Sequence, residues 1–174
     1  MINLLLKNLS RNFQLFLLRL GFNNNNYQNF TDFNFKQNDF INYKIVKYYV
    51  QKNNFISDIN IKDVHTFDFL FFYQKLGGKK GIELSKKNIF LWFKKFKYSK
   101  KFPWSNEHTS KRFINLVYNY DFICSISHKK EIAQINKILN FHIKRITLEV
   151  GLKASDSISS NDILALVLIE CCKN

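Results

Sequence analysis

A chain of 174 residues with 46% apolar side chains can bury the core of one ordinary domain plus extensions without disulfide or metal staples. Its 27 lysines and arginines against 13 acids leave a net charge of +14, which repels itself unless a polyanion neutralises it, so nucleic acid is the first partner class and anionic membrane the second. The apolar run at 163–169 is far shorter than the roughly 18–20 residues of a bilayer span, and Cys124, Cys171 and Cys172 form no Cys-x-x-Cys and have no histidine at ligand spacing beside them. No membrane span, cofactor or metal is expected, and the thiols read as reduced apolar fillers.

From 1 to 20, Leu5, Leu6, Leu9, Phe13, Phe16, Leu17 and Leu20 recur at three and four among Lys7, Arg11 and Arg19, the pattern of a basic amphipathic helix. It reads as a docking extension, or as the retained end of a protein made inside an organelle. The stretch 21–39, with its run Asn23 to Asn26, reads as a linker ordered only against a partner. The expected division is a helix and Asn-rich linker over 1–43, one domain over 44–150, and an extension with a short helix over 151–174.

Within the domain, 44–51 alternates as a strand. The segment 55–76 has helical spacing and stops at Gly77 and Gly78. Residues 89–98 and 111–119, rich in β-branched and aromatic side chains and separated by a polar turn with Pro103, predict a hairpin. Ser127 is the expected N-cap of a helix carrying Ile132, Ile135, Ile138 and Leu139; 143–150 alternates as a last strand. The order strand, helix, strand, strand, helix, strand predicts an α+β, ferredoxin-like split βαβ sandwich. A final short helix over 159–170 is expected to be capped by Ser160 or Asn161.

Charge is concentrated. Between 79 and 112 stand Lys79, Lys80, Lys86, Lys87, Lys94, Lys95, Lys97, Lys100, Lys101, Lys111 and Arg112 against Glu83 and Glu107 alone, nine of the fourteen net charges. Lysines neutralise phosphates regardless of base sequence, and interleaved aromatics such as Trp92 and Trp104 offer stacking faces. RNA contacts are therefore expected from Lys94, Lys95 and Lys97 on the hairpin, with His108 as a weaker candidate and Lys79 and Lys80 at the glycine-rich turn. The other reading packs each aromatic into the core and leaves the lysines as a solvated face.

Taken over 44–150, these residues resemble the universal small-subunit ribosomal protein "S ten" family. The likeness is carried by Lys44-Ile45-Val46-Lys47-Tyr48-Tyr49-Val50, by Gly81 to Phe90, by the basic tip Tyr98-Ser99-Lys100-Lys101-Phe102-Pro103-Trp104, by His108 to Leu116, and by Lys130 to Leu139 followed by Ile146 to Val150. Departures are the missing prolines of the second strand, the replaced glycine near Asn140-Phe141-His142 and a longer first helix. The resemblance implies a structural constituent of the subunit head of an organellar, mitochondrial ribosome, holding small-subunit rRNA through the hairpin beside neighbouring ribosomal proteins, with Lys100, Lys101, Lys111 and Arg112 as its phosphate contacts and Trp104 as a weaker stacking residue.

His65, His108, His128 and His142 are scattered, and no Ser-His-Asp, Cys-His or His-x-x-x-His spacing occurs. Gly77-Gly78-Lys79-Lys80-Gly81 lacks the P-loop spacing. A non-enzymatic protein is therefore expected. The rival classes are an accessory subunit of an organellar membrane complex and a non-ribosomal RNA-binding factor.

Overall fold

The structure, a computed structural model, describes Phe13, residues 62–99 and residues 102–172. Among the described residues there is no strand and no sheet, so the ferredoxin-like expectation is overturned. Helices follow one another as α1 (Lys62–Thr66), α2 (Phe69–Leu76), α3 (Gly78–Phe96), a 3-10 turn (Phe102–Trp104), α4 (Asn106–Tyr118), α5 (Tyr120–Cys124), α6 (Lys129–Val150), a second 3-10 turn (Ser155–Ser157) and α7 (Ser160–Cys171). The expected first strand at 44–51, the N-terminal helix, the linker and the tip residues Lys100 and Lys101 lie outside the described residues.

The supposed hairpin is two helices. In α3, Ile82, Ser85, Ile89, Trp92 and Phe96 are buried at intervals of three and four, while Lys80, Lys87, Leu91 and Lys94 are exposed. That 3.6-residue stripe outweighs the β-propensity of individual residues between 89 and 98. In α4 the second supposed strand, 111–119, is buried nearly all round: Arg112, Phe113, Asn115, Leu116, Val117 and Asn119 are each at most 4% exposed. Such a helix has no polar face to reveal its period. Its surroundings explain the burial, since α4 packs against α1, α6 and α7. The supposed last strand, 143–150, is the end of α6, with Ile143, Ile146 and Val150 buried at three and four.

Boundaries follow local chemistry. Gly77 takes φ 68°, the left-handed conformation glycine tolerates, and its N–H closes α2 by donating to the Tyr73 carbonyl. The chain then re-enters a helix at once. At Gly81 a Cβ would stand 2.3 Å from the Tyr73 carbonyl oxygen, so α2 and α3 meet at a contact that admits only glycine. Between α1 and α2 the non-glycine Phe67 sits at φ 62°. It is held there by complete burial of its ring, by Asn115 Nδ2 donating to the Thr66 carbonyl (2.8 Å) and to Asp68 (2.8 Å), and by Lys111 on Asp68 at 2.9 Å.

Helix α6 starts one residue later than expected: Ser127 gives its hydroxyl to the Ile123 carbonyl (2.7 Å), and His128 holds the cap position with its N–H donating to Glu131 at 2.9 Å. The C-terminal helix is capped by Ser159, one residue before the expected pair, in a box with Asp162. Asp162 also accepts from Ser110 Oγ on α4 and from Lys153, so this cap joins α7 to α4.

Candidate nucleic-acid interface

Three of the sequence-predicted contacts are core residues. Arg112 is fully buried. Its Nε donates to His142 Nε2 at 2.8 Å, and its Nη1 donates to the carbonyls of Pro103 (2.9 Å) and His65. The guanidinium lies 4.0 Å from the Trp92 ring centre and 4.5 Å from that of Trp104, inside cation–π range. Trp104, 3% exposed, donates its indole N–H to the Phe96 carbonyl at 2.6 Å and also carries Arg145 at 4.5 Å. His108 is buried, its Nδ1 2.9 Å from the Phe102 carbonyl. Their expected contact with rRNA is corrected accordingly: a side chain enclosed by its own domain offers no face to a phosphate or a base. They join the 3-10 turn to α1, α4 and α6 instead.

The hydrogen bonds fix two tautomers. Because His142 Nε2 accepts from Arg112, its proton resides on Nδ1, which donates to the Ile138 carbonyl at 2.7 Å. Burial first, then the neighbouring Arg112, hold the His142 imidazole well below its ordinary pKa, so it is neutral. His65 likewise accepts the Trp92 indole N–H on Nδ1 at 3.1 Å.

The predicted lysines divide differently. Lys79, Lys80, Lys94 and Lys95 are exposed, and Lys97 is half-buried. Lys111 is tied to Asp68 at 2.9 Å and serves the α1–α2 junction. Lys100 and Lys101 lie outside the described residues.

Four lysines that the sequence reading did not single out complete the surface. On α3, Lys80, Lys87 and Lys94 are seven residues apart and exposed. On α6, Lys130, Lys137 and Lys144 repeat the interval, the first two exposed and the third half-buried. Seven residues are two helical turns less about 20°, so each trio is a stripe along one face, with steps of about 10 Å. The signal was present as Lys-x6-Lys-x6-Lys, twice, but strands assigned over 89–98 and 143–150 concealed it.

Only the α6 stripe reaches a furrow between the two helices: Lys137 is on its lining, and Lys80, Lys87 and Lys94 are not. Helices α3 and α6 are joined by side chains rather than close backbone approach: Lys86 meets Glu131 at 2.9 Å, and Phe93 meets Phe141 edge-on with ring centres 5.3 Å apart. Between them lies a furrow of ≈ 410 Å³ lined by Phe93, Lys97, Ala133, Gln134, Lys137 and Ile138. The Lys97 ammonium stands over Phe93 (5.7 Å) and Phe141 (5.8 Å). Acids in this region already have cations: Glu83 has Lys79 at 3.9 Å, and Glu131 has Lys86. The Lys86 hydrogen bond, then the His128 N–H, pull the Glu131 carboxyl below its usual pKa, so it stays anionic and bound.

Among the described residues no group of three or more His, Cys, Asp or Glu side chains is placed to hold a metal ion, and no helix is long and apolar enough to cross a membrane. No family model matches the chain, nor does any curated protein or solved structure.

Proposed function

We propose that this chain is an RNA-binding structural protein of an organellar ribosome, a component of the mitochondrial small subunit that contributes to translation without catalysing a reaction. The observation that carries the reading is the partition of charge. Buried acids are consumed internally, Asp162 by Lys153 and Ser110 and Glu149 by Arg145 at 2.9 Å, while Lys80, Lys87, Lys94, Lys130 and Lys137 stand exposed on two neighbouring helices. A surface organised in this way attracts polyphosphate and does little for the stability of the isolated fold. The low-Ala, Phe-, Asn- and Lys-rich composition fits a gene in an AT-rich organellar genome. The hairpin route to rRNA is withdrawn with the hairpin; two helices take its place.

Two measurements test this. Epitope-tagged protein in an organellar lysate is expected to co-sediment with small-subunit rRNA through a sucrose gradient and to leave it in high salt. Replacing Lys87, Lys94, Lys130 and Lys137 by Gln is expected to weaken RNA binding and to lower the slope of log K against log salt by about 0.7–0.9 per lost contact. An unchanged slope rejects the assigned face. A second reading, an accessory subunit of a membrane complex, is favoured by the exposed Ile163, Leu164 and Val167 on α7; recovery in the carbonate-resistant membrane fraction and absence from subunit fractions would select it.

A further inference from the structure

We infer that the furrow between α3 and α6 is a track for single-stranded RNA, with the sugar-phosphate backbone held between Lys97 at the end of α3 and the lysine stripe of α6 and unpaired bases laid on an apolar floor. The inference rests on the RNA-binding reading above and specifies the ligand.

The geometry supplies three separate features. Cations flank the furrow from both sides: Lys97 and Lys137 line it directly, and the heptad partners of Lys137, Lys130 and Lys144, continue its rim along α6. Fourteen residues of helix span about 21 Å, enough for several nucleotides of an extended strand. The floor, in contrast, is Phe93, Ala133 and Ile138. A duplex hides its base faces and gains nothing from such a floor, whereas a single strand can turn bases onto it. Gln134, also on the lining, carries both a donor and an acceptor within reach of a base edge or a 2′-hydroxyl.

Lys97 is already placed. Its ammonium is held over Phe93, Phe141 and Tyr98, at 5.0 Å from the last, so less side-chain freedom is lost when a phosphate arrives. The local carboxylates do not compete, since Glu131 is engaged by Lys86 and Glu83 by Lys79.

The test uses the full chain and a labelled single-stranded RNA of mixed sequence, about 12 nucleotides long. The pair Lys97→Gln and Lys137→Gln is expected to weaken binding about tenfold and to lower the salt slope by about 1.4. Ala133→Trp fills the furrow without changing charge, at a position exposed in the free protein. It is expected to weaken binding about tenfold as well, with the helical far-UV signal and the urea midpoint retained. The control pair Lys75→Gln and Lys129→Gln removes the same charge from exposed positions outside the furrow lining. This pair is expected to change binding less than twofold.

If the control pair costs as much as the furrow pair, or Ala133→Trp binds normally, the track is wrong while RNA binding stands. Equal affinity for a duplex of the same sequence rejects the single-strand assignment. If the unmodified chain binds no RNA at low salt, both this inference and the function it rests on fall.

Discussion

Arg112 shows how far a side chain's role depends on what encloses it. As a residue in a basic run it suggested phosphate; in the fold it satisfies two carbonyls and a histidine from the interior. Arg112→Ala leaves those acceptors unpaired and opens a cavity beside Trp92 and Trp104, and is expected to cost about 3–5 kcal/mol by urea denaturation. Arg112→Met fills much of the space but supplies no donor, so its cost should be smaller yet still measurable. A loss under about 1 kcal/mol for the Ala variant would show that the network is not as described. His142 gives the same site a pH signature. Its folded pKa is held below the unfolded value of about 6.5, so the stability it contributes is complete above that pH. Below it the unfolded chain binds a proton that the native core refuses, and the unfolding free energy falls with a slope of up to about 1.4 kcal/mol per pH unit. Denaturant midpoints of wild type and His142→Gln between pH about 7.5 and 5 are expected to converge as pH falls, because the variant lacks this term; parallel curves would reject a neutral buried imidazole.

At the scale of elements, the close approach of α2 to α3 depends on one missing methyl group. On propensity alone, Gly81→Ala should stabilise a helix by about 1 kcal/mol. Here the new Cβ would meet the Tyr73 carbonyl oxygen at 2.3 Å, backbone that cannot swing aside, so a net destabilisation of about 1–3 kcal/mol is expected instead. Thermal unfolding decides the sign. The cap of α7 makes a comparable case: Ser159→Ala removes a hydrogen bond to the Asp162 N–H (3.2 Å) and should cost about 1 kcal/mol. That cap was legible in the sequence to within one residue, as were the start of α6 and the glycine stop of α2, because caps and stops are local chemistry. Three strands between 89 and 150 were misread for a non-local reason. Lys111 to Asn119 lies at the centre of the bundle, and a segment buried on every side has neither an alternating nor a 3.6-residue polar pattern. Ile89 to Tyr98 did carry the helical stripe of Ile89, Trp92 and Phe96, but its β-branched and aromatic residues were given more weight than their spacing. The same error hid half of the candidate surface, since lysines seven apart share a face only on a helix.

For the whole molecule, the surplus of 27 cations over 13 acids acts against compactness. The acids at the core are already spent on internal cations, and Lys97 at the end of α3 and Lys137 of α6 bring like charges to one furrow. On the proposed function, a polyanion seated there would relieve that repulsion and bind only the native arrangement, because unfolding disperses these cations. Linkage then requires RNA to raise stability in proportion to the logarithm of its concentration, by about 2.7 kcal/mol at a hundredfold excess over Kd. For a chain of this size the melting temperature is expected to rise by about 5–10 °C when single-stranded RNA is added at low salt. The rise should shrink towards zero as salt is raised, since screening removes both the repulsion and the binding. An uncharged polymer of similar length should produce no shift, and heparin, a polyanion without bases, should reproduce only part of it if the apolar floor of Phe93, Ala133 and Ile138 contributes. A melting temperature indifferent to RNA at every salt concentration would mean that the stripes are merely a solvated exterior. A full shift with heparin would mean that charge alone, without the furrow floor, accounts for the binding.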